Sequence, residues 1–150
     1  MIYVFLQNAY SEKHAGEKWI NEKWREALKK SRTGQRLPVL LKGIGQYEIF
    51  NTTPIAGAKP NDKLPPDIPY IKRILKKEPD MVVCCGDQAI HTIKSLWDGP
   101  IIGVPHPAHR YLSNNLYKKA NGFLKRKTSW HNRVLFKQMR GSVIKYPFPV

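Results

Sequence analysis

Cysteine is scarce in this sequence, and long hydrophobic runs are missing. Cys84 and Cys85 are the only cysteines. They are neighbours on an apolar predicted strand, so their side chains point to opposite faces and no disulfide is expected between them. Structural zinc of the CxxC type is excluded as well. No apolar run reaches the roughly 18 residues of a membrane span, and residues 1–6 are too short for a secretory signal. We therefore expect a soluble, cytoplasmic protein of bacterial or phage type, with no membrane partner.

Acidic residues are absent after Asp98, although the chain continues to residue 150. The formal net charge is +15, and aromatic residues lie among the C-terminal basic ones. A field of one sign attracts polyanions, and interleaved aromatics are typical of surfaces that contact phosphates and bases together. We predict DNA as the partner, with a solubilising face or an anionic-membrane patch as the alternative. The basic residues of this region are Arg110, Lys118, Lys119, Lys125, Arg126, Lys127, Arg133, Lys137, Arg140 and Lys145.

The order of apolar runs and amphipathic stretches predicts an α/β fold. Strands are predicted at residues 2–6, 38–41, 47–50, 81–85 and 101–104, and helices at about 16–30, 67–77 and 87–97. Apolar strands that alternate with amphipathic helices indicate a mostly parallel sheet covered on both faces. We predict one domain over residues 1–150, a three-layer αβα sandwich with a central mostly parallel sheet and a basic C-terminal region at about 113–150. Because no heptad pattern or apolar self-association patch is visible, we expect a monomer.

Polar residues follow three of the predicted strands. Gln7 and Asn8 follow the first strand, Asn51 opens a proline-rich connection, and His106 follows the strand at 101–104. Ligands of parallel sheets bind at the carboxyl ends of the strands. An amide can orient a water and read a base edge, while an imidazole can stabilise an anion that develops on a leaving group. Together these residue types suit the hydrolysis of a bond to a nucleobase.

Four segments, taken in order, resemble motifs of the uracil-DNA glycosylase superfamily. They are Q-N-A-Y at 7–10, F-N-T-T-P…K-P-N at 50–61, V-V-C-C-G-D-Q-A at 82–89 and G-V-P-H-P-A-H-R at 103–110. The stretch S-R-T-G-Q-R-L at 31–37 is similar to the Ser-Gly-x-x-Leu patch that follows the first motif. The resemblance covers about residues 2–112. It implies a glycosylase-like fold and a monofunctional, metal-independent DNA N-glycosylase that acts on uracil or a related modified pyrimidine without a cofactor.

The resemblance also implies a role for each matching residue. Asn8 would position the attacking water, and His106 would stabilise the base as it leaves as an anion. Gln7 would hold a base carbonyl through its backbone N–H, Tyr10 would crowd the C5 side of the base, and Asn51 would read its Watson–Crick edge. A neutral Asn cannot take a proton, so turnover slower than in an enzyme with Asp at this position is expected.

The family's stacking phenylalanine has no match near residues 31–34 of this chain. Trp19 and Phe50 are the aromatic residues that could replace it, and a plain core position is the alternative for each. The iron–sulfur cysteines of the thermophilic branch are absent. Ala9 and Ala108 stand where the family commonly has Pro or Gly and Ser, respectively.

A glycosylase must take its base out of the stack, which requires contacts to the distorted DNA. In the resembling family the loop after His-Pro enters the duplex, so this loop and the basic residues beyond it are the predicted DNA-binding set. Its members are His109, Arg110, Tyr111, Leu112, Lys118, Lys119, Lys125, Arg126 and Lys127.

Other functions remain open from the sequence. One alternative is a catalytically inactive glycosylase-like protein that binds or regulates DNA, and another is a different nucleotide- or DNA-modifying enzyme on the same scaffold. Asn8 and Asn51 could be turn or capping residues, and His106 could belong to a rigid turn. His106-x-x-His109 is not expected to bind metal, because Pro107 obstructs a helix and no Cys or carboxylate is placed nearby.

Overall fold

The computed structural model describes residues 1–19, 22–108, 112–126, 130–139 and 142–147. These residues form an α/β fold with six strands and five helices. The strands are β1 (Ile2–Leu6), β2 (Tyr47–Asn51), β3 (Met81–Cys85), β4 (Ile101–Val104), β5 (Arg133–Met139) and β6 (Ser142–Pro147). The helices are α1 (Glu22–Lys30), α2 (Arg32–Leu41), α3 (Ile68–Leu75), α4 (Asp87–Lys94) and α5 (Asn114–Lys125).

The strands form one sheet in the order β2-β1-β3-β4-β5-β6. All neighbouring pairs are parallel except β5 and β6, which pair antiparallel. The chain reverses its direction of travel across the sheet between β2 and β3, which lie on either side of β1. In doubly wound sheets such a switch point opens a crevice at the carboxyl ends of the central strands, and ligands bind there.

Two apolar clusters cover the two faces of the sheet. Residues of α2 and α5 pack with Ile2, Val4 and Leu6, while residues of α3 and α4 pack with Tyr3 and Phe5. The alternation follows from the two-residue period of a strand. Helices on both faces are compatible with the predicted three-layer sandwich.

The cysteines follow the same alternation. Cys85 lies in the cluster under α2 and α5, and Cys84 lies in the cluster under α3 and α4. Both thiols are free and buried, and burial raises their pKa. The prediction that they point to opposite faces is confirmed.

The predicted helix at 16–30 starts too early, because α1 begins at Glu22. The backbone before it pairs instead with the proline-rich connection. The amide N–H of Gly16 donates to Ala56 O at 2.9 Å, and that of Trp19 donates to Pro54 O at 2.9 Å. This long-range pairing takes the backbone groups that a helix would need.

The predicted strand at residues 38–41 is wrong, because these residues form the last turn of α2. Ser31 caps the helix, and its Oγ accepts a hydrogen bond from the Gly34 N–H at 3.1 Å. Leu37, Leu40 and Leu41 then lie on one buried stripe with helical spacing. The leucine stripe outweighs the interruption by Pro38.

The predicted helix at 87–97 is too long at its end, because α4 stops at Lys94. The amide N–H groups of Leu96 and Trp97 both donate to Ile93 O, and the Trp97 indole N–H donates to Pro100 O at 2.9 Å. These bonds turn the chain toward β4. The start of α3 agrees with the prediction, because the Asp67 carboxylate accepts the Tyr70 N–H at 3.1 Å.

None of the helices in the described ranges is both long enough and apolar enough to cross a membrane.

Candidate functional site

A cavity of about 1120 Å³ opens at the carboxyl edge of the sheet. It is bordered by residues 7–10 after β1, by the end of β2, and by the segments that follow β3 and β4. Trp19, three residues of α1, the start of α2 and residues 60–63 of the proline-rich connection complete its walls. The cavity therefore lies at the switch point, where the strand order predicts a ligand.

Asn51, the last residue of β2, lies on the cavity wall and is 7% exposed. Its carboxamide makes no hydrogen bond to any of the described residues, and neither its oxygen nor its nitrogen is fully buried. A buried amide usually has partners, because leaving it unpaired costs free energy. An open donor and acceptor at this depth are suited to a polar ligand in the cavity.

His106 lies across the cavity, two residues after β4. Its Nδ1 is 3.1 Å from the backbone N–H of Ala108 and accepts that hydrogen bond. In a neutral imidazole the proton is then on Nε2, which is left as the donor. Burial, and then the positive charge of Lys63, lower the pKa of His106 below its ordinary value of 6.5. The ring is thus a neutral hydrogen-bond donor at neutral pH.

Gly86, which directly follows β3, lies close against that ring. Its φ is +95°, and a Cβ on it would lie 3.2 Å from His106 Cβ. Only glycine combines this backbone conformation with so close a neighbour. The β3 end and the β4 loop therefore pack together without a side chain between them.

Asn8 lines the cavity, but its amide is occupied by the protein. Nδ2 donates to Ala9 O at 3.0 Å and to Asp62 O at 3.1 Å, while Oδ1 accepts the Leu64 N–H at 3.1 Å. One lone pair of Oδ1 is left over, and it can accept a hydrogen bond from a water. Asn8 also fixes residues 62–64 against the end of β1.

Gln7 and Tyr10 line the same cavity. The Gln7 side chain reaches Leu64 O at 3.4 Å, and its carbonyl accepts hydrogen bonds from Thr52. Tyr10 is 46% exposed and lies near the mouth. The five residues predicted for catalysis and base binding, Gln7, Asn8, Tyr10, Asn51 and His106, therefore all lie on one cavity.

The two aromatic residues considered as stacking partners separate in the structure. Phe50 packs on Tyr3 and Phe5, with ring centroids 5.0 and 5.7 Å away, and is a half-buried residue that packs against the core. Trp19 lines the cavity, stacks on His14 at 5.4 Å, and has a buried indole N–H without a partner in the described part of the chain. Of the two, only Trp19 borders the cavity.

Asp62 and Lys63 also lie on the cavity wall, although neither was predicted as a site residue from the sequence. Both residues directly follow the K-P-N segment at 59–61. Charged residues in a connection already predicted to border the site could have identified them. Lys63 acts on the pKa of His106, and the backbone of Asp62 holds Asn8. A carboxylate therefore lies near Asn8 after all.

Arg32 and Arg36 of α2 were also missed, although they belong to the quoted stretch 31–37. Arg36 donates to Pro107 O at 2.9 Å and to Leu112 O at 2.7 Å. Arg32 donates to Ala108 O at 3.1 Å. The two arginines, one turn apart, hold the backbone that follows His106.

The predicted DNA-binding residues lie only partly within the described ranges. Lys118, Lys119 and Lys125 are exposed on α5, and Arg126 is exposed just after it. The Leu112 side chain is half-buried and packs against the core under α2 and α5. Four members of the set, His109, Arg110, Tyr111 and Lys127, lie outside the described residues.

The chain matches no protein-family model, no curated protein and no solved structure. What the site can do is therefore inferred from its own chemistry. Within the described ranges, no group of three His, Cys, Asp or Glu side chains is placed to hold a metal ion. The polar side chains that line the cavity are amides, the His106 imidazole, two carboxylates, a lysine, an arginine, hydroxyl groups and two indoles.

Proposed function

We propose that this protein is a DNA glycosylase of the uracil-DNA glycosylase type. It takes uracil or a related modified pyrimidine out of DNA and hydrolyses the N-glycosidic bond, which leaves an abasic site. The observation that carries the proposal is that the unpartnered carboxamide of Asn51 and the imidazole of His106 line one cavity.

The chemistry of a flipped pyrimidine suits these two groups. Uracil offers an N–H donor and a carbonyl acceptor on its Watson–Crick edge, and a carboxamide supplies one acceptor and two donors. The Nε2–H of His106 is then available for the second base carbonyl. Because negative charge develops on that oxygen as the glycosidic bond lengthens, a fixed donor stabilises the transition state more than the ground state.

The surroundings of the cavity support DNA as the substrate. Exposed lysines of α5 follow the segment held by Arg32 and Arg36, so positive charge continues from the cavity along the helix. Such charge binds phosphates without regard to sequence, and binding weakens as salt increases. We propose a glycosylase-like, single-domain protein that acts as a monomer inside the cell.

The test is a product assay on labelled single- and double-stranded oligonucleotides. They carry uracil, hydroxymethyluracil, thymine mismatches or modified cytosines, and alkali reveals abasic sites. We expect alkali-sensitive breaks on one substrate, with a loss of roughly 100-fold or more in His106→Ala. His91→Ala and Asn132→Ala are matched controls, because both side chains are exposed and lie away from the cavity.

Intact DNA across the whole panel would contradict the proposal. If the labelled oligonucleotide still binds the protein and the binding weakens as salt increases, the protein is a DNA-binding module without catalysis. The tight engagement of the Asn8 amide is the observation that favours this second function. Activity on free nucleotides with no abasic product would indicate a different enzyme.

A further inference from the structure

Asn8 occupies the position expected to position water, yet it cannot act as a base. An amide does not accept a proton at neutral pH, and both Nδ2 hydrogens are used in holding backbone carbonyls. Hydrolysis of a glycosidic bond nevertheless releases a proton from the attacking water. A group near Asn8 must accept it for the reaction to be fast.

We propose that Asp62 is the catalytic residue that accepts this proton, an inference that rests on the proposed glycosylase function. Asp62 lines the same cavity as Asn8 and His106. Its side chain is half-buried, and the segment that carries it is fixed to Asn8 through the Asp62 carbonyl at 3.1 Å.

The carboxylate of Asp62 is held in place with one oxygen available. Oδ2 accepts the backbone N–H of Ala58 at 2.9 Å and that of Lys59 at 3.0 Å. Oδ1 makes no hydrogen bond or ion pair with any residue that the structure describes. One oxygen thus positions the group, and the other can bind a water and take its proton.

Gly57 brings the carboxylate and the Asn8 amide to one place. A Cβ built on Gly57 would lie 3.3 Å from Asn8 Nδ2, 3.5 Å from Asp62 Oδ2 and 2.9 Å from Asp62 Cβ. The two side chains therefore flank the same point, and the absence of a side chain at residue 57 lets them approach.

The cavity has one other carboxylate, that of Asp87 at the start of α4. It is exposed, and it follows β3 rather than lying in the segment attached to Asn8. Asp62 is therefore the carboxylate that the contacts associate with Asn8.

The step balances without a co-reactant. The water oxygen forms a bond to C1′ of the deoxyribose while the bond from C1′ to the base nitrogen breaks. The electron pair of the broken bond leaves with the base. Asp62 takes the water proton, and the Nε2–H of His106 donates a hydrogen bond to the base oxygen that gains negative charge. The carboxylate also places a negative charge near the sugar cation of the transition state.

The experiment compares kcat for the wild type and Asp62→Asn on the substrate found in the product assay. Asp62→Asn keeps an oxygen acceptor for Ala58 and Lys59, so the turn is retained while the base is removed. We expect kcat to fall by roughly 100-fold or more. The Kd for a duplex with uncleavable 2′-fluoro-2′-deoxyuridine should stay within about threefold, because general-base catalysis acts on the transition state alone.

A second variant separates catalysis from a structural role. In Asp62→Ala, added formate should raise kcat at least about tenfold, because a small carboxylate can occupy the vacated position and accept the proton. Formate should leave Asp62→Asn unchanged. Asp98→Asn, an exposed carboxylate ahead of β4 at the opposite edge of the sheet, should keep the wild-type kcat.

Each contrary outcome has its own meaning. Wild-type kcat in Asp62→Asn, together with a large loss in His106→Ala, would overturn the assignment of Asp62 and leave the glycosylase function standing. A loss confined to Asp87→Asn would overturn it in favour of the other carboxylate. A rate loss in Asp62→Ala without formate rescue would reduce Asp62 to a structural residue. A wild type inactive on every oligonucleotide would overturn the proposed function and this inference together.

Discussion

Replacing Gly86 with Ala should destabilise the fold and displace the candidate catalytic histidine. The φ of +95° and ψ of 160° lie in a region that only glycine populates readily, and a residue forced into it costs about 1–3 kcal/mol. The new Cβ would also lie 3.2 Å from His106 Cβ and 3.4 Å from Cδ2, so the ring must shift by a few tenths of an ångström. We expect the free energy of unfolding to fall by about 1–3 kcal/mol and the Tm by about 3–9 °C.

Urea and thermal unfolding measure the stability loss, and the histidine resonances measure the ring shift. Gly122→Ala in α5 is the matched control, since an added Cβ there meets nothing within 4 Å. That variant should gain about 0.5–1 kcal/mol, because glycine is unfavourable inside a helix. An unfolding free energy within about 0.5 kcal/mol of wild type in Gly86→Ala would refute the reasoning from backbone strain and close packing.

Four further predictions concern the cavity and the helices beside it. Asn51→Ala should abolish cleavage but change the free energy of unfolding by less than about 1 kcal/mol, since no side-chain hydrogen bond is lost. A variant that loses activity because it unfolds would contradict this. Lys63→Met should raise the pKa of His106 toward 6.5, and the acid limb of the pH–rate profile should therefore move to higher pH. An acid limb at the wild-type pH would show that Lys63 does not affect the pKa of His106. Because the folded pKa is depressed, His106 should also make stability fall as pH drops below about 6.5, measurable by urea unfolding. Asn121→Ala should cost about 1–3 kcal/mol, because its amide bonds two carbonyls at the end of α2, and wild-type stability in urea would refute that.

The parts of the fold that local pattern determines could be predicted from the sequence. β1, β3 and β4 are short apolar runs, and each was predicted where it lies. The segment before α1 could not be predicted, because its backbone bonds to residues 54–57 of the proline-rich connection rather than to its own neighbours. α2 was misjudged because proline disfavours a helix interior, whereas the burial of Leu37 and Leu40 decided the outcome.

The candidate site divides in the same way. Asn51 ends β2 and His106 lies two residues after β4, so the rule for parallel sheets predicted that both lie at the carboxyl edge of the sheet. Asp62 could not be assigned, because its connection to Asn8 spans 54 residues and depends on how the proline-rich connection folds back. The role of Arg36 likewise depends on carbonyls more than 70 residues away.

The hydrogen bonds from Arg32 and Arg36 affect how freely the His106 loop can vary. They end on the carbonyl oxygens of residues 107, 108 and 112, and every amino acid carries such an oxygen. These hydrogen bonds therefore do not depend on which side chains the loop carries. Substitutions at position 108 can change what this loop offers to a ligand while its attachment to α2 persists, whereas changes to either arginine alter the attachment itself. The loop is thus a place where specificity can be redesigned with little penalty to the scaffold.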